Sequence, residues 1–219
     1  MNADAPADLD RRYFTKLAAA FVRGSLTTRP DLADPELIAL GLDAGLRLHR
    51  FKRTADLPRV RKVLGVLRSL APADLLDIGS GRGVFLWPLL DTFPGVPICA
   101  VDRQHHRVAG IDAVRRGGIS QLRPAVMDAT RLGLADQSVD VVTILEVLEH
   151  LPEPAKAARE AVRVARRFVV VSVPSKEDDN PEHIHLFSRR SLENLLLTAG
   201  ARRVGFDGVL NHLIAVARV

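Results

Sequence analysis

The stretch LLDIGSGRG, residues 75–83, determines the fold that we predict for the rest of the chain. The apolar run from Leu75 to Ile78 is typical of a buried strand that ends in turn residues. The glycines that follow permit a tight turn and let the backbone approach a ligand closely, because no Cβ intervenes. Apolar residues between 84 and 90 then predict a helix that packs back on the sheet. Strand, glycine loop and helix in this order predict the nucleotide-binding edge of an α/β sheet.

The spacing of the glycines distinguishes between possible ligands. A dinucleotide-binding loop has the pattern G-x-G-x-x-G, whereas this loop has glycines at 79, 81 and 83 followed by Val84. Asp102 ends the next short apolar run, where a carboxylate can hold ribose hydroxyls. The loop and this acid together resemble the class I S-adenosylmethionine (SAM) methyltransferases. In that family the loop wraps the methionine moiety and needs no pyrophosphate clamp.

The resemblance covers about residues 73–219 and has consequences for the architecture. It implies an α/β fold with a Rossmann-like, seven-stranded class I methyltransferase sheet whose final hairpin inserts an antiparallel strand. We therefore expect residues 71–219 to form the SAM-binding methyltransferase domain. Residues 1–70 contain helical patterns and no parallel strand of their own. We expect them to form an N-terminal helical cap over the binding edge, where substrate specificity usually resides in this family.

The resemblance also predicts which residues contact the cofactor, SAM. Asp128 follows the third strand, from Leu122 to Met127, where the family uses an acid or its neighbour to read the adenine amino group. A helix cap for the loop that follows is the alternative role for Asp128. The predicted cofactor contacts are Asp77, Gly79, Ser80, Gly81, Asp102, Arg103, Asp128, Ala129 and Glu146.

A group of acids and histidines is predicted at the same edge of the sheet. Glu146, Glu149 and His150 directly follow the central strand that begins at Asp140, and α/β sheets bind ligands at the carboxyl ends of their strands. Four roles stay open for this group. Its members line the methionine pocket, remove a proton from the acceptor, hold a divalent metal, or make structural hydrogen bonds. The candidate catalytic residues are His150, His183 and His185.

Two subgroups of methyltransferases share the motif around Glu146. The ubiquinone-pathway-like O-methyltransferases carry a similar E-x-L-E-H-x-P-x-P run. The small-RNA 3′-terminal ribose 2′-O-methyltransferases hold a metal with E-x-x-E-H and a later histidine. We predict no required metal, although a divalent metal is possible. Its candidate ligands would be Glu146, Glu149, His150 and either His185 or His183.

Composition and charge bear on partners and location. The chain has 219 residues, a net charge of +5 and a pI near 10.0, which makes an anionic partner plausible. The region from Arg47 to Arg68 is strongly basic, and is either a solvated helical face or a docking surface for RNA or another phosphate-bearing molecule. A single cysteine, an acidic polar start and no apolar run of about 20 residues lead us to expect a cytoplasmic protein without membrane contact.

The function predicted first is a SAM-dependent methyltransferase that acts on an oxygen of a small-molecule acceptor. One alternative is a metal-assisted RNA ribose 2′-O-methyltransferase that uses the basic region from Arg47 to Arg68. A second alternative is a SAM-binding regulator without turnover. The sequence specifies neither the acceptor nor the oligomeric state.

Overall fold

One mixed sheet organises the computed structural model, which describes residues 13–26, 31–53, 57–176 and 179–219. Within these ranges the sheet has seven strands in the order β3-β2-β1-β4-β5-β7-β6. Strands β1 to β5 are parallel, and β7 runs antiparallel between β5 and β6. This confirms the predicted α/β architecture and its inserted antiparallel strand. The strands are β1 (Leu75–Ile78), β2 (Ile98–Asp102), β3 (Leu122–Val126), β4 (Val139–Leu145), β5 (Ala165–Pro174), β6 (Arg203–Val209) and β7 (His212–Arg218).

Helices cover both faces of the sheet, and local sequence explains several of their starts. Pro58 and Pro154 occupy first-turn positions, where a missing N–H does least harm. The side chain of Ser188 accepts a hydrogen bond from the backbone N–H of Ser191, as expected of an N-cap. The helices are α1 (Thr15–Ser25), α2 (Asp34–Asp43), α3 (Pro58–Leu70), α4 (Leu86–Thr92), α5 (His105–Arg116), α6 (Pro154–Val164) and α7 (Arg189–Thr198), with short 3-10 helices at Leu48–Phe51 and Leu148–His150. No helix within the described ranges is long and apolar enough to span a membrane.

The pairing of the central strands determines at which edge of the sheet a ligand binds. All four residues of β1 are buried, as are residues 140–144 of β4, because helices cover both faces of these parallel strands. Strand β1 pairs with β2 on one side and with β4 on the other. The chain order of the strands therefore reverses at β1. Ligands of such sheets bind at this reversal, beyond the carboxyl ends of the strands.

Two of the N-terminal helices, α1 and α2, pack away from the binding edge. Helix α1 lies directly against α5, and a Cβ added at Gly24 would lie only 1.9 Å from the backbone oxygen of Ala113. Apolar residues of α1, such as Leu17 and Phe21, belong to the same core cluster as Ile111 of α5. Helix α2 packs against α1. The expected cap over the binding edge is therefore formed by α3, whereas α1 extends a helical layer of the sheet. The domain division at residue 70 stays a prediction.

Candidate active site

Two adjoining cavities lie beyond the carboxyl ends of β1, β2 and β4. The larger cavity has a volume of about 580 Å³ and the smaller one about 220 Å³. Gly79, Arg107 and Glu146 line both cavities, so the two form one cleft. Helix α3 forms a wall of the smaller cavity with Arg59, Val60 and Val63.

Every residue predicted to contact the cofactor lines this cleft. The predicted residues that line the larger cavity are Gly79, Asp102, Arg103, Asp128, Ala129 and Glu146. Those that line the smaller cavity are Asp77, Gly79, Ser80, Gly81 and Glu146. The structure therefore brings the predicted set together, while the individual contacts stay predictions.

The glycine loop has a backbone that side chains would obstruct. Gly79 has a φ of +75°, in the left-handed region, and a Cβ there would lie 2.4 Å from Cγ2 of Val147. Gly83 has a φ of +87°, and a Cβ there would lie 2.0 Å from the ring of Trp87. The backbone N–H groups of Gly79 and Ser80 both donate to the carbonyl of Val101 in β2. The loop is thereby held close to the end of β2.

Asp77 is a buried acid with one oxygen left for a ligand. The residue is only 3% exposed, and its Oδ1 accepts a 2.8 Å hydrogen bond from the hydroxyl of Thr143. Its Oδ2 is buried and has no hydrogen-bond partner in the part of the chain that the structure describes. Burial raises the pKa of Asp77 to about 6. Asp77 lines the smaller cavity.

Asp102 joins the end of β2 to the glycine loop. Its Oδ2 accepts a 3.0 Å hydrogen bond from the backbone N–H of Gly81, and its Oδ1 accepts one of 2.8 Å from that of Gln104. Arg107 Nη1 lies 3.4 Å from Oδ2. These bonds fix the carboxylate at the rim of the larger cavity. Each carboxylate oxygen has two acceptor sites, so ribose hydroxyls can still donate to it.

Asp128 stabilises a turn rather than a helix. The backbone N–H and the hydroxyl of Thr130 both donate to Oδ1 of Asp128 at 2.7 Å. These hydrogen bonds hold the pKa of Asp128 below its usual range. No helix begins between residues 128 and 138, so the alternative role of a helix cap is wrong. The turn places Asp128 and Ala129 on the wall of the larger cavity.

Glu146 has a strained backbone and three partners from three different elements. Its φ is +54°, an uncommon conformation for a residue with a side chain, and such strain concentrates at functional sites. The hydroxyl of Ser172 in β5 donates to Oε1 at 2.6 Å, and Nε2 of His212 in β7 lies 3.1 Å from Oε2. Nε of Arg59 in α3 lies 3.7 Å from the same Oε2. These contacts over-determine the position of the carboxylate where the two cavities meet.

His212 is not among the site residues that the sequence predicted. The structure starts β7 at His212 and pairs that residue with Pro174 at the end of β5. A signal was available in the predicted topology. A strand antiparallel to β5 begins where β5 ends, so the first residue of β7 belongs to the binding edge.

The three predicted catalytic histidines are near one another but differ in their access to the cleft. His150 lines the larger cavity, and its Nδ1 lies 2.9 Å from the carbonyl oxygen of Glu182. The ring of His183 lies against that of His150, with centroids 4.8 Å apart. Nε2 of His185 lies 2.9 Å from the carbonyl oxygen of Leu151. Neither His183 nor His185 lines either cavity of the cleft.

The structure regroups the candidate metal ligands. Ligand atoms of Glu149, His150 and His183 all lie within 4.8 Å of one another. Glu146 and His185 do not belong to this group, because Glu146 contacts Ser172 and His212 whereas His185 contacts Leu151. This group therefore lacks Glu146 from the candidate set, and of the two histidines left open as the later ligand it contains His183 and not His185.

Three cations of the basic region from Arg47 to Arg68 have acidic partners or face the cleft. Arg53 binds Asp91 through two nitrogens at 3.0 and 3.4 Å, and Nζ of Lys62 lies 2.7 Å from Asp207. Arg59 points into the cleft, where it lines the smaller cavity. Several of the charges expected for an RNA surface are therefore used inside the molecule.

Comparison with known proteins identifies relatives for most of the sheet. Residues 76–170 match the family model described as a methyltransferase domain. The malonyl-[acyl-carrier protein] O-methyltransferase of Methylococcus capsulatus is 27% identical over 82% of this chain and 73% of that protein. A probable SAM-dependent methyltransferase of Mycobacterium tuberculosis is 29% identical over 67% of this chain. The alignment covers 56% of that protein, so the chain matches little more than half of its length.

A solved structure shares the fold. The crystal structure of a SAM-dependent methyltransferase from Aquifex aeolicus has a TM-score of 0.60 and 22% identity, and covers 75% of this chain and 98% of that one. The segment that matches the family model contains the glycine loop, Asp102, Asp128 and Glu146. This chain carries a class I S-adenosylmethionine-dependent methyltransferase domain, with SAM as its cofactor.

Proposed function

We propose that the enzyme transfers a methyl group from SAM to an oxygen atom of a small-molecule acceptor. The observation that carries this proposal is the smaller cavity, which α3 covers next to Glu146. The cavity has a volume of about 220 Å³ and contains Asp77 on its cofactor side, so the space that it leaves for an acceptor suits a small group rather than a nucleic-acid duplex or a folded protein surface. The O-methyltransferase of Methylococcus capsulatus, at 27% identity, supports oxygen as the accepting atom.

The residues of the cleft divide the binding of the cofactor between them. Asp77 is placed to receive the ammonium group, Asp102 the ribose hydroxyls, and Asp128 with Ala129 the adenine. Bound SAM supplies a methyl group that is activated by its sulfonium, so the protein chiefly has to align the acceptor with it. The strained and over-determined carboxylate of Glu146, at the meeting point of the cavities, supports a role in that alignment.

The acceptor side is formed by α3 together with the ends of β4 and β5. Arg59, Val60 and Val63 come from α3, and Leu145 and Ser172 from the strands. Of the predicted catalytic histidines, His150 lines the cleft, but it does so in the larger cavity. His212 contacts Glu146, which lines the smaller cavity. We therefore assign the positioning of the acceptor to Glu146, Ser172 and His212.

Transfer of a labelled methyl group from SAM into the small-molecule fraction and into the RNA fraction of a cell extract tests this proposal. We expect the label to enter the small-molecule fraction, and to do so equally with EDTA present. The Asp77→Asn variant serves as the control, since it should lose transfer through loss of cofactor binding. Label found only in the RNA fraction would contradict the proposal and favour the ribose methyltransferase.

A further inference from the structure

We infer that the accepting oxygen belongs to a carboxylate, so that the product is a methyl ester and the transfer needs no general base. This inference rests on the proposed function and names its substrate class. Three features of the acceptor side support it: the contacts of Glu146, the contacts of His212, and the position of Arg59 in the smaller cavity.

Glu146 is already committed to donors of the protein. The hydroxyl of Ser172 bonds Oε1 at 2.6 Å, and the ring of His212 approaches Oε2 to 3.1 Å. Arg59 adds a positive charge 3.7 Å from the same oxygen. Both oxygens of Glu146 are therefore engaged by groups of the protein, and the carboxylate is placed to orient its neighbours.

His212 is poorly placed to act as a base. Its Nε2 faces the carboxylate of Glu146, and its Nδ1 lies 3.3 Å from the carbonyl oxygen of Leu210. Both of these partners are acceptors. Both ring nitrogens of His212 therefore face oxygens of the protein, and the residue lines neither cavity, so neither nitrogen is directed at a methyl acceptor.

The guanidinium of Arg59 can recognise an anion in the smaller cavity. The charged side chains that line this cavity are the cations Arg59, Arg82 and Arg107 and the acids Asp77 and Glu146, and Arg107 is paired with Asp102. The side chain of Arg59 is 25% exposed, and its contact with Glu146 is longer than a hydrogen bond. A planar guanidinium in this position matches the two oxygens of a carboxylate.

The walls beside Arg59 describe the rest of the acceptor. Val60, Val63, Phe85 and Leu145 line the same cavity, so the group attached to the carboxylate is apolar. We therefore assign the acceptor to the carboxylic acids with an apolar body. A carboxylate is ionised at neutral pH. It can therefore accept the methyl group without a residue of the protein that removes a proton from it.

The reaction balances without a proton transfer. A lone pair of the acceptor carboxylate forms the new C–O bond to the methyl carbon while the bond from that carbon to sulfur breaks. The bonding electrons go to sulfur, which changes from a sulfonium to a neutral thioether. The products are the methyl ester and S-adenosylhomocysteine (SAH). The protein supplies Arg59 to hold the second carboxylate oxygen and the Glu146 group to fix its orientation.

Calorimetric titration of the SAH-saturated enzyme with hexanoate and with hexanol tests the site. We expect hexanoate to bind and hexanol to bind at least about tenfold more weakly, because hexanol lacks the charge that Arg59 recognises. The affinity of the Arg59→Met variant for hexanoate should be lower than that of the wild type by a similar factor. Arg68→Met is the matched control, since Arg68 lies on the same helix but is exposed and lines neither cavity. Equal binding of the two compounds, or of hexanoate to the wild type and Arg59→Met, would overturn the inference.

Two further readouts separate this inference from the proposed function. With labelled SAM, a methyl ester of hexanoate releases labelled methanol in alkali, whereas a methyl ether of hexanol does not. Methylation of hexanol in preference to hexanoate would overturn the inference and keep the O-methyltransferase. Binding of hexanoate without ester formation would contradict the proposed function and leave only an anion site. A loss of SAH affinity in Arg59→Met would assign Arg59 to the methionine carboxylate and overturn its role with the acceptor.

Discussion

The hydroxyl of Thr143 donates a 2.8 Å hydrogen bond to Oδ1 of Asp77, across the pairing of β4 with β1. Both side chains are buried, and the second oxygen of Asp77 has no partner in the described part of the chain. The fold therefore holds a half-satisfied carboxyl at the cleft. Such a group lowers the stability of the ligand-free protein and becomes useful when a cationic ligand group arrives.

The Asp77→Asn variant should change stability and binding in opposite directions. An amide avoids burial of a charge and can still accept from Thr143, so the free energy of unfolding without ligand should rise at about pH 7.5. The affinity for SAH should fall at least about tenfold, because the amide cannot pair with an ammonium group. Urea unfolding and calorimetry measure the two effects. A variant that binds SAH as tightly as the wild type would contradict the role of Asp77.

The pH dependence of stability follows from the same residue. The pKa of Asp77 is raised to about 6 in the folded state from 3.8, so the unfolded chain loses this proton first. The contribution of Asp77 to stability is therefore greatest below about pH 4 and is lost as the pH rises to about 6. The full loss is about 3 kcal/mol at 1.36 kcal/mol per pKa unit.

Urea unfolding across this range of pH should show that the free energy of unfolding of the wild type falls relative to that of Asp77→Asn. Binding of SAH should strengthen over the same rise in pH, since the ionised carboxylate pairs with the ligand. A difference between the two proteins that stays constant from about pH 4 to pH 7 would mean that Asp77 does not titrate in this window.

Gly79→Ala and Gly95→Ala form a matched pair for the glycine loop. Both glycines have a left-handed φ, +75° and +88°, so alanine costs each about 1–2 kcal/mol of backbone strain. A Cβ at Gly79 would meet Val147 at 2.4 Å, whereas none of the described atoms lies within 4 Å of one at Gly95. We expect both variants to lose stability and only Gly79→Ala to lose SAH affinity. Similar SAH dissociation constants in calorimetry would contradict the placement of the loop against the cofactor.

Sequence patterns predicted the parts of the site that follow directly from strand ends. Asp77, Asp102 and Glu146 each stand at or just beyond the end of an apolar strand, so their meeting at one edge follows from parallel pairing. The contact between His212 and Glu146 spans 66 positions and depends on the register of an antiparallel strand. No local pattern encodes that register.

The positions of the other histidines depend on tertiary structure in the same way. His183 and His185 are two residues apart, and the sequence gives no means to decide which one approaches His150. The backbone N–H groups of Ile184 and His185 donate to the carbonyl oxygen of Glu149, and this anchors the segment against the short 3-10 helix. His183 then lies against His150. The sequence could therefore not predict which of these two histidines contacts His150.

Substitution of single histidines should separate positioning from structure. His212→Ala should lower kcat for ester formation from hexanoate at least about tenfold. The reason is that Glu146 loses one of the contacts that hold it in its strained conformation. His185→Ala should leave kcat within about twofold, because its ring contacts a backbone oxygen outside the cleft. Single-turnover assays at saturating SAM measure both. Loss of turnover in His185→Ala with His212→Ala unchanged would restore the predicted base.

Chelation should leave methyl transfer unchanged. Glu149, His150 and His183 form the group that could hold a cation, but only His150 of the three lines the cleft, and it does so in the larger cavity. The acceptor side that we propose lies instead around Ser172 and Glu146, and the carboxylate proposed as acceptor needs no metal to ionise it. Turnover of hexanoate should therefore agree within about twofold between EDTA and added Mn²⁺. His183→Ala is the control, because it removes one candidate ligand and leaves both cavities lined as before. Activity that EDTA abolishes, Mn²⁺ restores and His183→Ala lacks would identify a metal-dependent enzyme and favour an RNA ribose acceptor.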